Sequence, residues 1–87
     1  MAAPKIEMYS TSWCGYCVRA RALLQRKGAA FVEISIEQQP ERRAEMIQRS
    51  GRRTVPQIFI SGQHIGGSDE LDELDRAGDS HFRPDHA

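Results

Sequence analysis

The chain has 87 residues, of which 39% are hydrophobic and 28% charged, and its twelve basic side chains balance twelve acidic ones. This length predicts a single domain spanning residues 1–87, and no apolar run approaches the roughly 20 residues that a membrane-spanning helix needs. A neutral chain also lacks the basic excess that non-specific nucleic-acid binding requires. We therefore expect no nucleic acid and no membrane as partner. The N-terminal segment lacks the long apolar run of a secretory signal, which predicts a cytoplasmic, reducing location.

The first half of the chain predicts a βαβ unit. Apolar and polar side chains alternate in KIEMY, residues 5–9, as they do in a half-buried strand. From Cys14 to Lys27 the apolar residues follow helical spacing, and Gly28 is placed to end the helix. AFVEISI, residues 30–36, has the aromatic and β-branched content of a strand. A strand, a helix and a strand in this order predict a parallel pair joined by a right-handed crossover.

A second helix and a hairpin are predicted next. Pro40 suits the first position of a helix over about residues 40–50, which Gly51 would end. QIFIS, residues 57–61, and HI, residues 64–65, flank Gly62, a residue suited to a tight turn. These two strands should therefore be antiparallel.

Ser68 is suited to cap a last helix, which carries acidic residues in its first turn and ends near Arg76. Residues 78–87 have little to bury and are expected to be mobile, which leaves a core over about residues 4–77. The predicted order is β-α-β-α-β-β-α. Its natural assembly is an α/β fold with a four-stranded mixed sheet flanked by three helices.

The only two cysteines, Cys14 and Cys17 in CGYC, have three interpretations. A structural disulfide would close a very small loop and constrain the unfolded chain little. A zinc site is the second, because His81 and His86 also have ligand spacing, although the gap between the two pairs is far longer than in a zinc finger. A redox pair is the third. Cys14 begins the predicted helix, where unpaired N–H groups and the helix dipole favour a thiolate, and Cys17 lies nearly one turn further, on the apolar side.

Three motifs in order resemble the glutaredoxin family over residues 4 to about 77: CGYC after the first strand, TVP at residues 54–56 and GGSDE at residues 66–70. The resemblance is closest to small bacterial dithiol members and implies a thioredoxin-like fold. It implies a glutathione-dependent thiol–disulfide oxidoreductase that reduces protein–glutathione mixed disulfides and protein disulfides. Glutathione would be the co-substrate of a monomeric protein. The implied partners are glutathionylated proteins and disulfide substrates such as ribonucleotide reductase.

The same resemblance assigns roles to individual residues. Cys14 would be the attacking nucleophile and Cys17 the resolving cysteine. A cis bond would precede Pro56, the Val55 backbone would pair with the cysteinyl part of glutathione, and Arg43, helped by Arg52, would bind the glycyl carboxylate. The start of the last helix would hold the γ-glutamyl end. The complete implied glutathione site is Tyr16, Arg43, Thr54, Val55, Pro56, Gly67, Ser68 and Asp69.

Two positions depart from the pattern of the family. Thr11 stands where a lysine usually meets glutathione, and Gly15 replaces the commoner proline, which should permit more motion at the helix start. Some members with a small residue at this place bridge a [2Fe–2S] cluster between two subunits, so a cluster-binding dimer with Cys14 as ligand is an alternative. A thioredoxin-reductase-linked redoxin for ribonucleotide reductase is another, but its short relatives lack the glutathione groove that TVP and GGSD imply.

Overall fold

The computed structural model describes residues 4–77. Its seven elements follow the predicted order: β1 (Ile6–Ser10), α1 (Gly15–Arg26), β2 (Val32–Ser35), α2 (Arg42–Ser50), β3 (Gln57–Ile60), β4 (Gln63–Gly66) and α3 (Ser68–Arg76). The strands form one mixed sheet in the order β2-β1-β3-β4. β1 pairs in parallel with β2 and antiparallel with β3, and β3 pairs antiparallel with β4. The predicted α/β fold is confirmed, while the segment expected to be mobile, residues 78–87, lies outside the described residues.

The two faces of the sheet carry separate apolar clusters. On one face, α1 and α3 pack through side chains such as Leu24 and Leu71 against β1 and β3. On the other face, Met46 of α2 packs against Tyr9 and Phe59. The helices therefore lie in two layers, with α1 and α3 on one side of the sheet and α2 on the other.

The expectation that the first strand is half-buried is wrong. Met8 and Tyr9 point to opposite faces, and neither exposes any surface. β1 is a central strand, between β2 and β3, so helices cover both of its sides. The alternation of KIEMY came from Glu7 at the sheet surface, where its carboxylate accepts a hydrogen bond from Arg49 at 3.1 Å.

A polar network closes the α2 side of the sheet. The Tyr9 hydroxyl donates to Glu45, whose carboxylate also accepts from Arg42 Nε at 2.9 Å. Arg49 donates to the Tyr9 oxygen at 2.9 Å, and its guanidinium carbon lies 3.9 Å from the centre of the Phe59 ring. The hydrogen bonds from Arg42 and then Tyr9 lower the pKa of Glu45 to about 2. This network anchors α2 to the sheet.

The second helix begins later than predicted. Pro40 and Glu41 form a turn, in which the Arg43 N–H donates to the Pro40 carbonyl at 3.1 Å, and α2 begins at Arg42. In the predicted hairpin, Ser61 and Gly62 have φ values of 53° and 79°, a region that favours glycine. Within residues 4–77, every helix is too short or too polar to cross a bilayer.

Candidate functional site

Cys14 occupies the N-terminal end of α1. It is the N-cap residue, with an extended backbone (φ −83°, ψ 122°), and its carbonyl accepts the Val18 N–H at 3.0 Å. Its side chain is partly exposed, and its Sγ donates to the Val55 carbonyl at 3.7 Å. Cys14 thus lies at the helix start, as the sequence predicted, and its side chain makes no capping hydrogen bond there.

Cys17 lies in a different environment. Its side chain has no exposed surface, and burial raises the pKa of its thiol to about 11. Hydrogen bonding and charge interaction with Cys14 raise this pKa further, whereas the Thr11 backbone acts in the opposite direction. The two thiols are therefore close enough to interact, but only Cys14 is accessible from outside.

The loop that carries Thr54, Val55 and Pro56 faces Cys14. The expected cis bond between Val55 and Pro56 is present. A buried side chain holds this loop: Gln57 Nε2 donates to the Thr54 carbonyl at 3.0 Å and to Thr54 Oγ1 at 3.3 Å. Gln57 Oε1 is in turn 2.7 Å from His64 Nε2 on β4. Sequence analysis missed Gln57, although a polar residue at the start of an apolar strand was a detectable signal.

The start of α3 differs from the prediction in one respect. Gly67, and not Ser68, is the N-cap residue. The Gly67 N–H donates to the Glu70 carboxylate at 2.6 Å, and this bond, followed by the effect of Arg52, lowers the pKa of Glu70. Ser68 is the first helical residue, and its buried Oγ has no hydrogen-bond partner among the described residues. Glu70 thus performs the capping that sequence reasoning gave to Ser68.

A groove of about 320 Å³ lies between Tyr16 of α1, the loop of Thr54 to Pro56 and the start of α3. It contains every implied glutathione-site residue except Arg43, whose guanidinium donates instead to the Arg53 carbonyl at 3.1 Å. Arg52 is the arginine in the groove, with its Nη1 3.3 Å from Glu70 Oε1. The lining residues are Tyr16, Arg52, Thr54, Val55, Pro56, Gln57, Gly67, Ser68, Asp69 and Glu70.

The segment before Cys14 is held by a residue that sequence analysis also missed. Glu37, in the turn after β2, accepts hydrogen bonds from Ser12 Oγ at 2.8 Å and Trp13 Nε1 at 2.6 Å. The Trp13 ring is 75% exposed, so it is held by this bond while remaining at the surface beside Cys14. No sequence signal pointed to Glu37, because its partners are more than twenty positions away.

Within residues 4–77, no group of three or more histidine, cysteine, aspartate or glutamate side chains is arranged to hold a metal ion. His81 and His86, which the zinc interpretation requires, lie outside the described residues.

The sequence model of the glutaredoxin family matches residues 6–65, more than half of the chain. The chain belongs to the glutaredoxin family. It is 55% identical over 73 residues to glutaredoxin 3 of Escherichia coli K12, covering 84% of this chain and 88% of that protein. It is 52% identical over 75 residues to a glutaredoxin of Pseudomonas aeruginosa, covering 86% and 89%.

Solved glutaredoxin structures share the fold. The chain matches the crystal structure of a buckwheat glutaredoxin–glutathione complex with a TM-score of 0.79 and 37% identity, over 86% of this chain and 71% of the other. Glutaredoxins are glutathione-dependent thiol–disulfide oxidoreductases, and this chain is an enzyme of that kind. The comparisons favour neither the cluster-binding dimer nor the redoxin that depends on thioredoxin reductase.

Proposed function

We propose that the enzyme reduces glutathione mixed disulfides through Cys14, with glutathione seated in the groove. The observation that supports this proposal is the contact at 3.7 Å between Cys14 Sγ, which is partly exposed, and the carbonyl of Val55, a residue that lines the groove. A thiolate at this position can reach a sulfur atom bound beside Val55. A buried thiol such as Cys17 cannot make the first attack on a protein substrate.

The first step is an exchange of one disulfide for another. The Cys14 thiolate attacks the glutathione sulfur of the mixed disulfide, the bond to the client sulfur breaks, and the client leaves as a thiolate that takes a proton from water. Cys14 now carries glutathione. The thiolate of a second glutathione attacks the glutathione sulfur of this adduct, oxidised glutathione leaves, and the Cys14 thiolate is restored.

Cys17 has a role only when the substrate is a protein disulfide. Attack by Cys14 then gives a mixed disulfide with the client, which Cys17 resolves by attacking Cys14 Sγ and releasing the second client thiol. The resulting Cys14–Cys17 disulfide is reduced by two glutathione molecules. The pKa of Cys17, about 11, holds it as a thiol until it approaches an electrophilic sulfur.

Several groups of the groove suit glutathione. The unpartnered Ser68 hydroxyl and the start of α3 suit the γ-glutamyl carboxylate, because helix N-termini favour anions. The backbone of Val55, which lines the groove, suits the cysteinyl part. Arg52 supplies a positive charge inside the groove, so we propose it as the principal partner of the glycyl carboxylate. Arg43 stays a prediction for the same carboxylate.

The proposed clients are glutathionylated proteins and proteins with reducible disulfides, of which ribonucleotide reductase is one candidate. We propose that the enzyme acts on them as a monomer in the cytoplasm. A dithiol that must be reduced before each reaction is suited to such a reducing location.

Turnover of a glutathionylated peptide by single-cysteine variants tests the proposal. Cys14→Ser should abolish turnover, and Cys17→Ser should retain much of it, because the mixed-disulfide cycle does not need Cys17. Both variants replace one sulfur by oxygen and so control for each other. The reverse pattern, with Cys17→Ser inactive and Cys14→Ser active, would refute the mechanism.

A further inference from the structure

Cys14 is followed by Gly15, the residue type that restricts the backbone least. Gly15 is exposed and begins α1, and a Cβ atom placed on it would meet no atom within 4 Å. On this side of Cys14 the backbone is held by α1 itself, through the hydrogen bond from the Val18 N–H to the Cys14 carbonyl at 3.0 Å, but Gly15 adds no side-chain contact. The side-chain contacts next to Cys14 are made by the residues that precede it.

One carboxylate binds both of those residues. Glu37 Oε1 accepts from Ser12 Oγ at 2.8 Å and from the Ser12 N–H at 3.5 Å, and Oε2 accepts from Trp13 Nε1 at 2.6 Å. Hydrogen bonds to an ionised acceptor are roughly twice as strong as those between neutral groups. Glu37 therefore links the segment before Cys14 to the turn that follows β2.

We propose that Glu37 is a positioning residue for Cys14. By fixing Ser12 and Trp13, it directs Cys14 Sγ toward Val55 and the groove, at a helix start where Gly15 provides no side-chain contact. Glu37 does not line the groove, so it acts on the rate of attack and not on glutathione binding. This role rests on the proposed function, because it concerns the attack by Cys14.

The negative charge of Glu37 has an effect on the rate of attack that is opposite to the effect of positioning. A carboxylate bound to the neighbour of Cys14 disfavours the thiolate, so by charge alone its removal would speed the attack. Positioning predicts that removal slows the attack. The sign of the change in kcat separates the two effects.

Glu37→Gln is the first variant, because the amide replaces one acceptor oxygen by a donor. We expect kcat for a glutathionylated peptide to fall about 3- to 10-fold with KM nearly unchanged, less than the ~100-fold cost of a 1 Å misplacement. Glu41→Gln is the matched control. Glu41 is exposed, lies four residues further on, and its carboxylate makes no hydrogen bond within the described part of the chain, so this variant should keep the wild-type kcat.

Trp13 is the only tryptophan and reports directly on the link. Loss of its bond to Glu37 should lower its fluorescence anisotropy in Glu37→Gln and leave it unchanged in Glu41→Gln. A thermal unfolding curve for each variant shows that the folded protein is being compared.

Gly15→Pro supplies a rescue test. The extended backbone of Cys14 is the conformation that a residue before proline adopts, and proline is favoured at the first helical position. Because proline stiffens the backbone next to Cys14, Glu37→Gln should then lower kcat less than about 2-fold. A merely structural contribution of Glu37 would be the same in both backgrounds.

The proposal is supported by reduced kcat and anisotropy in Glu37→Gln together with rescue by Gly15→Pro. It is overturned if kcat is unchanged or raised, or if the loss is equal in the two backgrounds. If the wild-type protein itself were inactive, the proposed function would be refuted. The fluorescence anisotropy of Trp13 would still show whether Glu37 holds its side chain.

Discussion

The division of labour between the two thiols predicts a large difference in their reactivity. In the Cys14→Ser variant only Cys17 remains, and its burial, the main cause of its pKa of about 11, is unchanged. In the Cys17→Ser variant only the partly exposed Cys14 remains. Alkylation by iodoacetamide, which requires the thiolate, compares them.

The expected magnitude follows from the pKa of Cys17. At about pH 7.5, a thiol with a pKa of about 11 is ionised to roughly 0.03%, whereas a free cysteine with a pKa of about 8.5 is ionised to roughly 9%. With the pKa of about 11 that Cys17 has beside Cys14, ionisation alone would make it about 300-fold slower than free cysteine, and loss of the Cys14 contribution in the variant reduces this factor. The complete burial of Cys17 slows the reaction further, because the reagent must wait for an opening of the fold.

Mass spectrometry of samples quenched over time measures both rates. Unfolding the Cys14→Ser variant in guanidinium chloride is the control, and there Cys17 should react as fast as free cysteine. The reasoning is refuted if folded Cys17 reacts within about 10-fold of free cysteine, since neither burial nor the raised pKa would then protect it.

Three further predictions concern binding and stability. Arg52→Ala should raise KM for glutathione more than Arg43→Ala, because only Arg52 lies in the groove; equal effects in steady-state assays would argue against this placement. Because the pKa of Glu45 is lowered, its carboxylate stabilises the folded protein fully above about pH 5, and this stabilisation is lost as the pH falls toward 2. The urea unfolding midpoint of Glu45→Gln should therefore change less between neutral and acid pH than that of the wild type. Parallel pH curves for the two proteins would contradict this. Met46 is fully buried, so Met46→Ala should lower the free energy of unfolding in urea by about 2–5 kcal/mol. Val18 is 49% exposed, so Val18→Ala should lower it by less than about 0.5 kcal/mol. Similar losses in the two variants would refute the packing argument.

The order of elements was predictable because hydrophobic periodicity and turn residues act locally. Leu23 and Leu24 showed the buried side of α1, and Gly62 marked the hairpin. The full burial of Tyr9 was not predictable from its own segment, since it depends on β1 lying between two strands with a helix on each face. Local alternation shows which residues share a face, but not whether the second face is covered.

The candidate site was predictable where motifs carry it. Cys14, the Thr54–Pro56 loop and the start of α3 came from short stretches with known spacing. The structure brings the loop and the start of α3 to one groove, and Cys14 contacts Val55 of that loop. Glu37 was missed because its hydrogen-bond partners are more than twenty positions away. Gln57 carried a signal, a polar residue at the start of an apolar strand, but its hydrogen bonds to Thr54 and His64 follow only from the fold. The cap of α3 was misassigned because Ser68 and Glu70 are both suited to capping, and geometry selected the Glu70 side chain.

The central claim is that Cys14 attacks the glutathione sulfur of a mixed disulfide. Incubating the Cys17→Ser variant with a glutathionylated peptide, followed by acid quenching and peptide mapping by mass spectrometry, shows what Cys14 carries. We predict glutathione on Cys14 and free peptide thiol in equal amounts. A disulfide between Cys14 and the peptide, with glutathione released, would contradict it.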